Sequence, residues 1–164
     1  MINSVDIAVI IADIIAKGLN IPPDRVAVYD GNWKAPKDKH VYATVSLLSS
    51  RPVSVVHELD RDENEVESVT VYDTFAIDLV SQNTEAMELY PFCVATLTGD
   101  YARRRMEQNT IAIWRDGDVQ DLSYIEGASA LHRYRINTIV SSVRTRTASV
   151  PTFDAFPREV KVEE

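Results

Sequence analysis

The residues able to do chemistry are few and poorly spaced for it. His57-Glu58-Leu59-Asp60-Arg61 begins like the His-Glu-x-x-His helix of zinc proteases, but the position four after His57 is Arg61, so the metal face is incomplete. Asp116, Asp118 and Asp121 lie in "DGDVQD". A calcium loop starting there needs glycine at 121 and glutamate at 127, and the chain has Asp121 and Gly127. His40, His57 and His132 lack ligand-like spacing, so no shared metal site is expected. With five glycines there is no phosphate loop, no dinucleotide turn and no Gly-x-Ser-x-Gly elbow. Cys93, the one cysteine, sits in "PFCVATL" and reads as a small buried hydrophobe in a chain made in a reducing compartment. The residues therefore assign no catalytic, metal or cofactor site, and the expectation is that this is not an enzyme.

What remains is charge. "LHRYRINTIVSSVRTR" (131–146) carries four arginines in a chain of formal net charge −8. It is rich in β-branched residues and reads as one strand, whose sixteen residues would reach about 53 Å. An element of that length is expected to bend or to project past its sheet. On a strand, side chains alternate faces, so Arg133 and Arg135 share one face and Arg144 and Arg146 the other, unless a bulge near Ser141-Ser142 resets the register. A stripe tracking phosphates would keep its cations on one side. The second charged stretch, "HELDRDENEVE" (57–67), has six acids against one arginine. It reads as a solvated hairpin tip or as an acidic finger that docks on a cationic partner.

Composition sets the frame for both. At 164 residues, 45% hydrophobic and 26% charged, the chain is an ordinary soluble globular protein with room for one core. A pI near 4.9 argues against tight nonspecific binding to DNA or anionic lipid. The N-terminus has no basic n-region, and "AVIIADIIA" is short and broken by Asp13, so neither signal peptide nor transmembrane helix is expected.

The elements that must position these charges follow from periodicity. Residues 3–17 predict a helix capped by Asn3 or Ser4 and ended by Gly18, with Val5, Ala8, Ile11 or Ala12, and Ile15 on one apolar face that Val9, Ile10 and Ile14 widen. A proline-rich loop with Trp33, which either covers the core or serves as an exposed contact, holds a short strand from Val26 to Tyr29. "VYATVSLL" (41–48) and "SVTVYDTFAIDLVS" (68–81) alternate as arms of a long hairpin. Arg51-Pro52 interrupts the first, and Asp73 is the one break in the apolar phase of the second. Residues 83–98 predict a helix that Pro91 kinks or restarts, with Ala86, Leu89 or Tyr90, Cys93 and Leu97 as its buried stripe; a short helix follows at 100–109, its Arg103-Arg104-Arg105 facing solvent. A strand at 110–125 turns at Asp116-Gly117. "VPTFDAFPREVKVEE", at the end, is a frayed tail or an arm that docks its phenylalanines elsewhere.

This order, with "DLSYIEGASALHRYRINTIVSS" and its pairing of "VQDLS" with "HRYRINTIV", resembles phage tail-terminator (neck, tail-completion) proteins over residues 3–146. The hairpin return leading into "NTEAMELYPFCVATL" is similar to the family's strand-to-helix step. Pro91 and the segment after Val150 depart from the pattern. The resemblance implies an α/β (α+β) fold, a mostly antiparallel sheet with a long β-hairpin packed on two or three helices. It divides the chain into one domain, 1–149, and a C-terminal extension or arm, 150–164. It implies a homo-oligomeric ring, hexameric in the family, that caps the tail tube protein, ends polymerisation and offers a surface to head connector proteins. In contractile tails the ring also meets the sheath. No cofactor or catalytic residue belongs to the family, and its place is the virion neck, reached from the host cytoplasm.

In a ring each subunit shows its neighbours two different surfaces. The expectation is therefore that Arg133, Arg135, Arg144 and Arg146 serve subunit or tube interfaces, with Glu58, Asp60, Asp62, Glu63, Glu65 and Glu67 as counter-charges. The competing expectation is that the arginines pair across their own sheet. An acidic lumen would let DNA pass without specific binding. The other functions weighed are a head–tail connector or tail-completion protein without terminator activity, a small α/β enzyme, and a monomeric regulatory binding module.

Overall fold

The capping residue at the start of the chain is Asn3. Its side chain accepts hydrogen bonds from the N–H groups of Val5 and Asp6 (2.8 and 3.0 Å), and Asp6 accepts one from the Asn3 N–H, closing a capping box. From there α1 runs Ser4–Leu19 and buries Ile7, Ile11, Ile14 and Ile15 completely. The helix does not stop at Gly18, as the sequence suggested, but at Asn20, which takes the left-handed conformation (φ 52°). Gly18 is needed for packing instead: a Cβ there would lie 2.1 Å from Cγ2 of Thr96 on the next helix. The computed structural model describes residues 2–28, 33–61, 64–126 and 129–148. Asp62, Glu63, Tyr29 and the extension 150–164 fall outside them.

A short 3-10 turn at Pro23–Arg25 leads into β1 (Val26–Val28), which pairs in parallel with β2 (Tyr42–Leu59). β2 and β3 (Glu65–Ser81) form the long antiparallel hairpin. α2 (Glu85–Thr96) and α3 (Asp100–Asn109) follow, then β4 (Ile111–Arg115), β5 (Gln120–Asp121), β6 (Tyr124–Glu126) and β7 (Ser129–Ala148). The sheet order is β1-β2-β3-β7-β4, with β5 and β6 also on β7. Only β1–β2 is parallel, so the chain has the α+β architecture expected, a mostly antiparallel sheet with a long hairpin.

Several local expectations are corrected. Arg51-Pro52 does not interrupt β2; the strand absorbs it through register shifts between Leu47 and Ser49 and between Pro52 and Ser54. Of the acidic stretch 57–67, residues 57–59 belong to β2 and 65–67 to β3, so strand extends into both of its ends. α2 passes unbroken through Pro91. Gly117 does turn (φ +75°), but no hairpin forms there: β4, β5 and β6 all run antiparallel to β7, as one interrupted edge strand.

The core lies on one face of the sheet. Ala43, Val45, Phe75, Ile77, Leu79, Ile136 and Val140 meet α1 and α2 there, all fully buried, while Tyr90 of α2 stacks on Tyr134 of β7 at 4.5 Å. Cys93 is buried in the same cluster, and burial pushes its thiol pKa up to about 12. No helix among the described residues is long and apolar enough to cross a membrane.

Candidate functional site

β7 holds all four arginines of interest, and its pairing with β3 runs without a shift from Glu65↔Ala148 to Ser81↔His132. No bulge occurs at Ser141-Ser142, so the parity argument stands and the four side chains divide two and two between the faces.

On the face away from the helices, Arg133 and Arg135 converge on one carboxylate, Asp78. Arg133 donates from Nη2 to Oδ2 at 2.7 Å, and Arg135 donates from Nε and Nη2 to Oδ1 and Oδ2, both at 2.8 Å. The Asp78↔Arg135 register places them opposite one another, which permits the bidentate geometry. Asp78 is 4% exposed. Burial alone would raise its pKa; the hydrogen bonds from Arg135 and then Arg133 outweigh that and hold the carboxyl below its usual range. The hydrogen bond to Asp78 in turn raises the pKa of Arg135.

On the helix-packed face, Arg144 donates to Asp73 at 2.7 Å and to the Ser4 hydroxyl at 2.9 Å, and that hydroxyl donates to Asp73 at 2.9 Å. Asp73 is fully buried. The break in β3's alternation is therefore a buried acid tied to the first residue of α1. An uncompensated charge there would be costly, and Arg144 is what compensates it. Arg146, by contrast, pairs with Glu67 near the surface, directly across the strand pair.

The acids named from sequence separate accordingly. Glu67 is the one that meets a β7 arginine within the subunit. Glu65 holds His57 Nδ1 at 2.7 Å. Asp60 accepts from the Asn64 N–H at 2.9 Å and so fixes the hairpin turn. Glu58 is exposed on β2, and Asp62 and Glu63 fall outside the described residues. Inside the subunit the principal counter-charges of the arginines are thus Asp73 and Asp78, not the hairpin acids. Sequence gave one signal for this, the acid in an apolar phase at 73. Asp78 lay in a polar phase and gave none. Of the α3 arginines, Arg103 and Arg104 are exposed as expected, whereas Arg105 Nε reaches Asp13 of α1 at 2.9 Å.

Two surfaces follow from this framework. The first is a groove of about 470 Å³ over Asp78, Arg133 and Arg135, walled by Trp33, Tyr42 and Thr44. Trp33 leans on Tyr42 at 5.4 Å, so it lines this groove on the open face. The second is the far end of the β2–β3–β7 ribbon. From Leu47 onward every β2 residue is exposed, including Leu48, Val53, Val55, Val56 and Leu59. Val55 and Leu59 pair with Val69 and Glu65 on one face, and Val56 points to the other. β1 covers the outer edge of β2 only at 43–45, so beyond Val45 that edge has no strand partner among the described residues. Among these residues no group of three or more His, Cys, Asp or Glu is placed to hold a metal ion. Comparison with models of known protein families and with curated proteins finds no match to this chain.

Proposed function

We propose that the chain is a structural subunit of the tail-terminator kind, a ring that caps a tail tube, ends its growth and presents a docking surface to the head. The observation that supports this reading is the projecting ribbon. Exposed apolar side chains recur on both faces of its far end, and an unpaired strand edge beside them invites another chain. Leu48, Val53, Val55, Val56 and Leu59 on one strand, with Val143 across the ribbon, form an element built to be covered by a partner. The residue chemistry agrees with a binding role: the β7 arginines pair with Asp78, Asp73 and Glu67, and the one thiol is buried. A heterologous contact between such a ribbon and the body of the next subunit closes by rotation into a ring.

The test is electron microscopy of the purified chain mixed with tail tubes of its own particle. Rings seated at one tube end, with tube length arrested on addition, are the expected result. Binding to a portal or connector with no effect on tube growth would instead favour the head–tail connector reading. A chain that is monomeric at all concentrations and binds neither would sink both.

A further inference from the structure

The groove on the open face has recognition chemistry that the fold does not use up. Two guanidiniums face one carboxylate, leaving one net positive charge, and the side chains of Arg133 and Arg135 are 37% and 27% exposed. Beside them stand the aromatic faces of Trp33 and Tyr42. Such a site takes a carboxylate carried next to an aromatic or apolar group, with guanidinium donors for the first and ring faces for the second.

One stretch of this chain has that composition. "PTFDAFP" (151–157) carries a single charge, Asp154, between Phe153 and Phe156. In an extended backbone, residues 154 and 156 share a side. We infer that the groove of one subunit holds Phe153–Phe156 of a second copy, Asp154 on the Arg133–Arg135 pair and Phe156 against Trp33 and Tyr42. Reach requires the second copy. β7 leaves the sheet at Ala148, and from there back to Arg135 the strand measures about 43 Å. Asp154 lies six residues past Ala148 and reaches about 22 Å at full extension. The segment is too short to reach its own groove, so the groove it meets is a neighbour's. The contact is head-to-tail, which deepens the ring reading and rests on it for its closure.

The experiment uses the full chain with p-benzoylphenylalanine in place of Phe156, mixed as light and ¹⁵N-labelled populations and photolysed. The expected result is adducts joining light to heavy peptides, mapped to residues 33–46 or 131–135, and cut at least tenfold by Asp154→Lys. Adducts confined to one copy, adducts on the ribbon or α1, a yield indifferent to Asp154→Lys, or no adduct at any concentration would each overturn it. Rings that cap tubes without the groove adduct would remove this contact and leave the ring; the adduct in a chain that ignores tubes would remove the terminator reading and leave the contact.

Discussion

At its base the β2–β3–β7 ribbon is sealed by helices, and past Leu47 the same ribbon continues with β2 exposed along its whole length. The base buries Val45, Phe75, Ile77, Leu79, Ile136 and Val140 completely. The far end leaves Val55 51% and Leu59 68% exposed in a similar strand alternation. Length explains the difference. The 16 residues of α1 rise about 24 Å, whereas the 18 residues of β2 extend about 59 Å, so the helix layer runs out long before the hairpin does. The base therefore carries stability and the far end stays exposed.

Large-to-small substitution should break the symmetry between the two regions most visibly. Phe75→Ala is expected to cost about 3–5 kcal/mol in urea unfolding, and Val55→Ala less than about 0.5 kcal/mol. Equal losses would mean the ribbon's far end is part of the core. The two arginines on the helix-side face sharpen the same contrast. Arg144→Ala strands the Asp73 carboxylate in the interior and should cost about 3 kcal/mol or more, while Arg146→Ala, on an exposed pair, should cost at most about 1 kcal/mol. A similar loss for both variants would deny Asp73 its buried environment.

Hydrogen exchange offers a smaller and more local reading. Amides of 54–58 should exchange at least tenfold faster than those of 75–79 in the isolated chain, a difference of about 1.4 kcal/mol in opening free energy. Protection of 54–58 should then rise on assembly, and a far end already as protected as the base in the isolated chain would count against an exposed contact element. The smallest effect is that of pH. Asp78 has a folded pKa below its unfolded value, so its pairing stabilises the fold above the ordinary aspartate range near about pH 4 and is lost as pH falls below it. Asp78→Asn should flatten the stability–pH curve in that acid window and leave its shape above pH 6 unchanged. A curve as steep as that of the parent chain would assign the acid sensitivity to other carboxylates.

Much of the fold was legible from local pattern: the helix from Asn3, the hairpin, the split of the arginines between faces, and the buried Ala86–Cys93–Leu97 stripe of α2. The failures have physical causes. Gly18 was read as a helix stop because glycine favours one, yet here it makes room for Thr96. Residues 110–125 read as one strand with a turn at Asp116-Gly117; the turn is there, and the segments on either side of it pair in succession along the longer edge that β7 offers. The charged run at 57–67 read as a solvated hairpin tip and does lie at the end of the hairpin, but strand continues into it because a strand with water on its faces satisfies charges equally well.

By itself the sequence determined alternation, parity and capping, since these depend on backbone geometry repeating every two or 3.6 residues. Which acid met which arginine was decided only in three dimensions. The β3–β7 register sets Asp78 opposite Arg135, and the start of α1 brings Ser4 to the Asp73–Arg144 pair. Which part of the ribbon stayed bare was decided there too, because coverage depends on how far a helix rising about 1.5 Å per residue can shadow a strand rising about 3.3 Å.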